Sequence, residues 1–263
     1  MQGSKMNNMP TGDSKAIITN QPGIHEKLND VVERHLSHPF QKPYQAHTKQ
    51  AFDVVNSTVD AFLARNPKGD IILDACCGVG QSTRLLALQN PEALVIGVDK
   101  SAHRINRNVK GFNDVSFTEV DDASFTGVDN AKTNAEEDGN SESLANYHLV
   151  RADLNDFYRL VKAENWPVSI HYILYPNPWP KAKHLQRRWH GSAVFPQMTS
   201  IGRQLILRSN WRLYLEEFQQ AAALVNLQGT IEAIPVDIKK ALTPFEAKYQ
   251  ASQQVCYQLS LLR

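Results

Sequence analysis

An acidic residue, a glycine turn and a second acidic residue follow one another in this chain with the spacing of a ligand-binding unit. The first stretch, DACCGVG, runs from Asp74 to Gly80, and the second, VIGVD, runs from Val95 to Asp99. Glycines let the backbone approach a ligand closely, and Asp99, at the end of an apolar strand, can accept hydrogen bonds from both hydroxyls of a ribose. The pattern predicts a site for a nucleotide-like ligand.

The acid before the glycines indicates which ligand this site would hold. A dinucleotide site uses G-x-G-x-x-G with amides facing a pyrophosphate, but Thr83 stands at the third glycine position here. Asp74 would repel an anion, whereas it would attract a sulfonium cofactor with a free amino group. We therefore expect S-adenosylmethionine rather than NAD. The predicted cofactor contacts in this turn and at the neighbouring strand ends are Asp74, Cys76, Gly78, Gly80, Asp99, Lys100, Ala152 and Asp153.

These residues also have structural interpretations. Asp74 could be a structural acid at a strand end, Asp99 could support the start of the next helix, and Asp153 could be an ordinary helix cap. The adjacent Cys76 and Cys77 could be nucleophiles. However, the sequence places no base beside them, and small side chains suffice in a tight turn.

A rigid and basic segment follows another apolar strand, SIHYILY (Ser169 to Tyr175). Three prolines fall in the next six residues, Pro176–Lys181, which we call the shelf, and further basic residues follow up to Arg188. Because proline fixes φ and lacks a backbone donor, the strand must stop there. Trp179 could stack on a base and the cations could bind phosphates. Alternatively, Trp179 is a core residue and the charges are only solvated; their combination favours RNA binding.

Apolar runs alternating with amphipathic segments predict the elements that must position these residues. The predicted strands cover residues 70–77, 94–99, 147–153, 169–175, 204–209, 230–236 and 255–262. The predicted helices cover residues 47–65, 82–88, 101–109 and 154–162, with a further helix capped by Asn210. This alternation indicates an α/β fold with a parallel sheet covered on both faces, whose ligands lie at the carboxyl ends of the strands.

Composition predicts one domain with two flexible parts. Residues 1–22 are polar and are expected to form a disordered tail, and residues 23–263 form the domain. The acidic, non-periodic stretch 119–143 is expected to be a flexible surface insertion, although a functional acidic segment is an alternative. The net charge of +1 means that any nucleic-acid footprint must be local.

The remaining sequence features argue for a reduced, membrane-free protein. No apolar run reaches the ~18–20 residues of a membrane span, and the N-terminal residues lack the apolar core of a secretory signal. Three cysteines, two of them adjacent, make a poor disulfide framework and indicate a cytoplasmic protein. No pair with metal-ligand spacing occurs, so no metal site is expected. The sequence does not distinguish a monomer from a homodimer.

Five segments together resemble the bacterial tRNA (guanine-N7-)-methyltransferase family over roughly residues 70–263, the acidic insertion excepted. They are DACCGVGQSTRLLA, VIGVDKSAHRI, LYPNPWPKAKHLQRR, LILRSNWRLYLEEF and TPFE. The resemblance implies the class I S-adenosylmethionine-dependent methyltransferase fold, a seven-stranded, mostly parallel sheet with helices on both faces. It also implies methyl transfer to N7 of a guanosine in the variable loop of tRNA.

The resemblance also implies roles for individual residues. Asn177 would lie beside the transferring methyl group, as a catalytic and cofactor-contacting residue, and Thr243 and Glu246 would lie near the base pocket as further catalytic residues. The implied RNA contacts, with Trp179 added from its place on the shelf, are Trp179, Lys181, Lys183, His184, Arg187, Arg188, Asn210 and Trp211.

Two positions depart from the family pattern, because Asn177 and Asn210 stand where the family usually has aspartate. An amide accepts only through its oxygen and carries no charge, and a lost charge-assisted contact can cost roughly 1.5–3 kcal/mol. We therefore expect a slow enzyme or a changed target. The alternatives are a methyltransferase with another acceptor (an exocyclic amine of a base, a protein or a small molecule) and a non-catalytic RNA-binding relative.

Overall fold

The computed structural model describes residues 12–106 and 146–263, which contain seven strands and eight helices. The strands are β1 (Ile71–Ala75), β2 (Leu94–Asp99), β3 (Tyr147–Arg151), β4 (Val168–Leu174), β5 (Gln204–Ser209), β6 (Gln228–Ala233) and β7 (Tyr257–Leu262). The helices are α1 (Leu28–Ser37), α2 (Ala46–Arg65), α3 (Gln81–Gln89), α4 (Ala102–Ile105), α5 (Leu154–Ala163), α6 (Phe195–Thr199), α7 (Arg212–Ala223) and α8 (Pro244–Ala251). Short 3-10 turns occur at Ala182–Arg187, Trp189–Gly191 and Ile238–Lys240.

The seven strands form one sheet in the order β3-β2-β1-β4-β5-β7-β6. The first five strands in this order are parallel, and β7 runs antiparallel between β5 and β6. The carboxyl ends of five parallel strands therefore meet at one edge, which is where ligands bind in such sheets. The predicted seven-stranded, mostly parallel sheet is confirmed.

Helices cover both faces of the sheet, as predicted. On one face α2, α5 and α7 bury apolar side chains such as Val55, Phe157 and Phe218 against the strands. On the other face, α3 contributes Leu86, and Tyr249 of α8 packs against the same cluster. Within residues 12–106 and 146–263, every helix is too short or too polar to cross a membrane.

Several element boundaries differ from the predicted ones. The helix expected to be capped by Asn210 begins at Arg212, and Trp211 occupies its N-cap position. The amide of Asn210 instead donates to Oε1 of Gln254 at 2.8 Å. Helices α1, α6 and α8 were not predicted. The last two are short, with five and eight residues, whereas α1 carries Leu28, Val31 and Val32 at helical spacing and was overlooked.

The N-terminal segment differs from the predicted disordered tail. Residues 12–22 have no regular secondary structure, yet Ile17 packs against the core and Gln21 is buried. Contacts with distant residues hold this segment in place, and such contacts cannot be read from local composition. Residues 1–11 and the predicted acidic insertion at 119–143 lie outside the described residues.

Candidate active site at the carboxyl edge of the sheet

The glycine turn joins β1 to α3 and leaves open space above its backbone. Gly78 has a φ of 62° and Gly80 has a φ of 74°, in the left-handed region that glycine tolerates best. No described atom lies within 4 Å of the position a Cβ at Gly78 would take, whereas one at Gly80 would lie 2.7 Å from Leu149. Gly80 therefore seats α3 against β3, and Gly78 leaves the turn accessible to a ligand.

Asp74 lies at the end of β1 with one carboxylate oxygen satisfied and the other without a partner. Its Oδ2 accepts hydroxyl hydrogen bonds from Ser82 at 2.6 Å and from Thr83 at 2.7 Å. Ser82, at which the predicted helix begins, thus supports Asp74, and Gly80 takes the N-cap position. Oδ1 is buried without a hydrogen-bond partner among the described residues. Burial raises the pKa of Asp74 to about 6, although the two hydroxyl groups oppose this shift.

Asp99 joins the glycine turn to the loop that follows β2. Its Oδ2 accepts from the backbone N–H of Gly78 at 3.1 Å, and its Oδ1 accepts from the backbone N–H of Ser101 at 2.8 Å. Arg104 lies 3.1 Å from the same Oδ1. The supporting role weighed for Asp99 is therefore real, but Oδ2 has one lone pair left for a ribose hydroxyl. Lys100, directly after Asp99, is exposed.

The residues directly after β3 are further predicted cofactor contacts at the same edge of the sheet. Ala152 is fully buried, and Asp153 is the N-cap of α5, where its Oδ1 accepts from the backbone N–H of Asn155 at 2.9 Å. This capping bond fixes the carboxylate at the strand end. The unpaired Oδ1 of Asp74, the open turn at Gly78 and the acids at three strand ends fit a nucleoside with an amino group, as S-adenosylmethionine has.

The two adjacent cysteines are poor nucleophiles in this environment. Burial raises the pKa of Cys76 to about 12, and the pKa of Cys77 is also raised well above its ordinary value by burial. Because the thiolate is the reactive form, neither side chain supplies a nucleophile at neutral pH. Cys76, with a φ of 62°, serves the turn instead.

The shelf leaves β4 at the same edge and presents Asn177 to solvent. Asn177 is exposed, and its Oδ1 faces the backbone N–H of Trp179 at 3.4 Å. Trp179 is half-buried, its ring lies 4.7 Å from the guanidinium carbon of Arg187, and the His184 ring meets it edge-on at 5.5 Å. An accessible amide and an indole face flanked by a cation thus stand side by side.

The basic segment divides into exposed and buried residues. Lys181, Lys183 and Arg187 are exposed and therefore available to phosphates, and His184 is half-buried. Burial, followed by the charges of Arg187 and Lys183, lowers the pKa of His184, so its ring is neutral at neutral pH. The predicted RNA contacts at these four positions stay predictions, with three of them carrying positive charge.

Two predicted RNA contacts are placed beneath the surface instead. Arg188 is fully buried and forms an ion pair with Glu217 of α7, and Trp211 is 9% exposed with its ring 4.9 Å from the guanidinium carbon of Arg188. A fully buried guanidinium cannot reach a phosphate, so the prediction for Arg188 is wrong, and that for Trp211 is not supported. Sequence reasoning missed Glu217, although it follows the buried Tyr214 by three residues and therefore lies at the border of the buried face of α7.

Residues from the last helix and β5 border the same edge. Thr243 caps α8 by accepting from the backbone N–H of Glu246 at 3.0 Å. Both oxygens of the buried Glu246 accept from Nη1 of Arg208, at 3.1 and 3.0 Å. These two residues, predicted to be catalytic, thus have structural partners, and a catalytic role stays a prediction. Arg208 was not predicted, because it directly follows the apolar run Leu205–Leu207 within the strand.

A family model described as "Putative methyltransferase" (Methyltransf_4) matches residues 68–259. No curated protein matches the sequence. The match begins just before β1 and extends into β7. It therefore includes the glycine turn, the shelf, the basic segment and α8.

Solved methyltransferase structures resemble the chain at low sequence identity. A 16S rRNA (adenine(1408)-N(1))-methyltransferase from Catenulisporales acidiphilia is 16% identical, with 78% of this chain and 90% of that chain covered and a TM-score of 0.49. The 16S rRNA methyltransferase KamB is also 16% identical, covering 79% of this chain and 93% of its own, at a TM-score of 0.49. Magnesium protoporphyrin IX methyltransferase from Synechocystis PCC 6803 is 14% identical over 91% and 94%, at a TM-score of 0.39.

Proposed function

The chain belongs to the Methyltransf_4 family and is an S-adenosylmethionine-dependent methyltransferase with the class I fold, and from this premise we propose that its acceptor is N7 of a guanosine in tRNA. The observation that carries the proposal is the shelf with its basic segment, which lies within the matched region at the carboxyl edge of the sheet. A half-buried indole beside exposed cations suits a single-stranded base attached to phosphates.

The cofactor half of the proposal rests on the acids at three strand ends. Asp74 would receive the amino group through Oδ1, Asp99 would receive a ribose hydroxyl through Oδ2, and Asp153 would lie near the adenine. When bound, S-adenosylmethionine supplies an activated methyl group on sulfur. Gly78 leaves room for such a ligand at the turn.

The acceptor half requires positioning more than proton transfer. Guanine N7 carries a free lone pair at neutral pH, so no general base has to remove a proton. Transfer would form the N7–C bond at the expense of the C–S bond of the bound cofactor, and the purine ring would gain the positive charge that sulfur loses. Asn177, exposed beside Trp179, can hold the base edge so that the lone pair points at the methyl group. Its amide cannot offset the new charge as a carboxylate would.

Methyl transfer to tRNA tests this function. The purified protein is incubated with methyl-labelled S-adenosylmethionine and bulk tRNA that lacks 7-methylguanosine, and the labelled nucleoside is identified by mass. Labelled 7-methylguanosine supports the proposal. Label in another nucleoside overturns the N7 assignment, and no label despite measured cofactor binding overturns the choice of tRNA.

A further inference from the structure

A buried carboxylate on α7 accepts hydrogen bonds from four donors beneath the shelf. Glu217 is fully buried and receives hydrogen bonds from Arg188 Nη1, from Gln21 Nε2, from His190 Nε2 at 3.0 Å and from the backbone N–H of His25 at 2.9 Å. Burial opposes ionisation of Glu217, but the hydrogen bond from His190 and the charges around it lower the pKa of its carboxyl to about 2. Glu217 is therefore an anion throughout the physiological pH range.

Arg188 connects the carboxylate of Glu217 to the backbone of the shelf. Its guanidinium donates from Nε at 3.2 Å and from Nη2 at 3.1 Å to the carbonyl oxygen of Trp179, and Nη2 also lies 3.4 Å from the carbonyl oxygen of Lys181. The planar fork of arginine can bind a carboxylate and backbone carbonyls at once, which lysine cannot do. A buried ion pair of this kind contributes little net stability, but it fixes the geometry of the groups that it connects.

The N-terminal residues 12–23, which we call the strap, hold the same piece of backbone from outside. The hydroxyl of Thr19 donates to the carbonyl oxygen of Pro180 at 2.6 Å, and Oδ1 of Asn20 accepts from the backbone N–H of Ala182 at 3.1 Å. Gln21 then connects the strap to the buried pair, because its Oε1 accepts from Arg188 at 3.1 Å.

The shelf needs these contacts, because it lacks a sheet or helix ladder of its own. Among the described residues, the side-chain hydrogen bonds that reach the shelf from outside come from Arg188 and Thr19. Tyr175, just before the shelf, and Trp179 have φ values of 52° and 45°, in the left-handed region that is unfavourable for bulky residues. Such conformations persist only where surrounding contacts determine them.

We propose that Glu217 and Arg188, together with the strap, are positioning residues that fix the shelf for methyl transfer. The proposal rests on the proposed function, since it assumes that Asn177 and Trp179 of the shelf meet the acceptor. In this proposal Arg188 supports the shelf from its buried side, instead of making the phosphate contact that the sequence suggests. The strap thereby becomes part of the acceptor site although it contains no predicted acceptor contact.

The dependence of tRNA affinity on salt separates positioning from phosphate binding. Each phosphate contact contributes about 0.9 to the slope of log affinity against log salt in duplex nucleic acid and about 0.7 in single strands. Arg187→Gln removes an exposed cation and should reduce the slope by about one contact. The double variant Arg188→Gln/Glu217→Gln removes the buried cation together with its buried partner; it should leave the slope at the wild-type value and lower kcat at least about tenfold, with cofactor affinity within about twofold. A slope reduced as in Arg187→Gln would overturn the role given to Arg188.

A second variant tests the strap and leaves Arg188 and Glu217 unchanged. The double variant Thr19→Val/Asn20→Ala removes the strap's hydrogen bonds to Pro180 and Ala182, and trypsin should then cleave after Lys181 and Lys183 several-fold faster. Asp13→Asn is the matched control, because Asp13 pairs with Lys248 at 3.2 Å rather than with the shelf. It should leave the cleavage rate unchanged. Equal cleavage of the double variant and the wild type would overturn the proposal.

These measurements separate the two proposals. The trypsin cleavage rates are measured without a methyl acceptor. They decide whether the strap holds the shelf even if the wild type forms no 7-methylguanosine. Absence of that product contradicts the proposed function alone.

Discussion

Thr83 holds Asp74 in a single orientation by donating its hydroxyl to Oδ2 at 2.7 Å, which leaves Oδ1 directed away from α3. The same hydroxyl lies against Gly97 on the neighbouring strand, where a Cβ would come within 2.2 Å of it. Asp74 is thus prepared to receive one donor at a fixed position. A preorganised acceptor lowers the ordering cost of binding a ligand.

Cofactor affinity should rise with pH through about 6. The pKa of Asp74 is raised to about 6 by burial, so below that pH the carboxyl is neutral and attracts an ammonium group less. Calorimetry between pH 5 and 8 measures this. Below the pKa of Asp74, the dissociation constant of S-adenosylmethionine should fall by up to about tenfold for each unit by which the pH rises. Asp74→Asn should bind weakly and with a flat profile in this range. A flat profile for the wild type would contradict the role of Asp74.

The stability of the cofactor-free protein should show the opposite trend. The folded-state pKa of about 6 lies above the ordinary 3.8, so the folded state binds the proton more tightly than the unfolded state does. The contribution of Asp74 to the free energy of unfolding therefore falls as pH rises from about 4 to about 6, by up to about 3 kcal/mol. Urea unfolding of the wild type and of Asp74→Asn at pH 4 and 7 isolates this contribution. Equal pH dependence in the two proteins would contradict it.

Trp179 should contribute to acceptor binding through its ring. Base stacking on an aromatic side chain is worth about 1–3 kcal/mol, so Trp179→Ala should weaken tRNA binding by about five- to 150-fold. Trp179→Phe should retain most of the affinity. Filter binding gives both values, and cofactor affinity serves as the control for folding. Unchanged tRNA affinity in Trp179→Ala would place the indole outside the acceptor site.

The amide of Asn177 should limit the rate of methyl transfer. A carboxylate at this exposed position can still accept from the backbone N–H of Trp179, so Asn177→Asp should fold normally. If a charge-assisted contact is worth about 1.5–3 kcal/mol, Asn177→Asp should raise the single-turnover rate by tenfold or more. Asn177→Ala is the comparison that should be slower than both. A slower Asn177→Asp would mean that the acceptor requires an amide.

The fold and the cofactor half of the site were predictable because their signals are local. Strands β1 and β2 are buried along their whole length, so they read as continuous apolar runs, and glycines mark the turn that follows β1. The acids at the strand ends stand next to those runs. Parallel pairing of the strands then places these acids at one edge of the sheet, so no long-range contact has to be known to predict it.

The supports of the shelf were not predictable because they depend on distant partners. Arg188 resembles its exposed neighbours in sequence, and only Glu217, 29 residues away, explains why it is buried. Gln21 lies 167 residues from Arg188 in a segment whose composition suggests disorder. Asn210 looked like a helix cap, but Gln254 takes its amide and the helix begins two residues later.

Two transcripts of one tRNA, made with guanosine or with 7-deazaguanosine, test the central claim most directly. The second transcript keeps the hydrogen-bonding edge of guanine and lacks the N7 lone pair. We predict transfer of labelled methyl to the first transcript and none to the second, with similar affinity for both. Equal labelling of the two transcripts, or labelling of neither, would contradict methyl transfer to guanine N7.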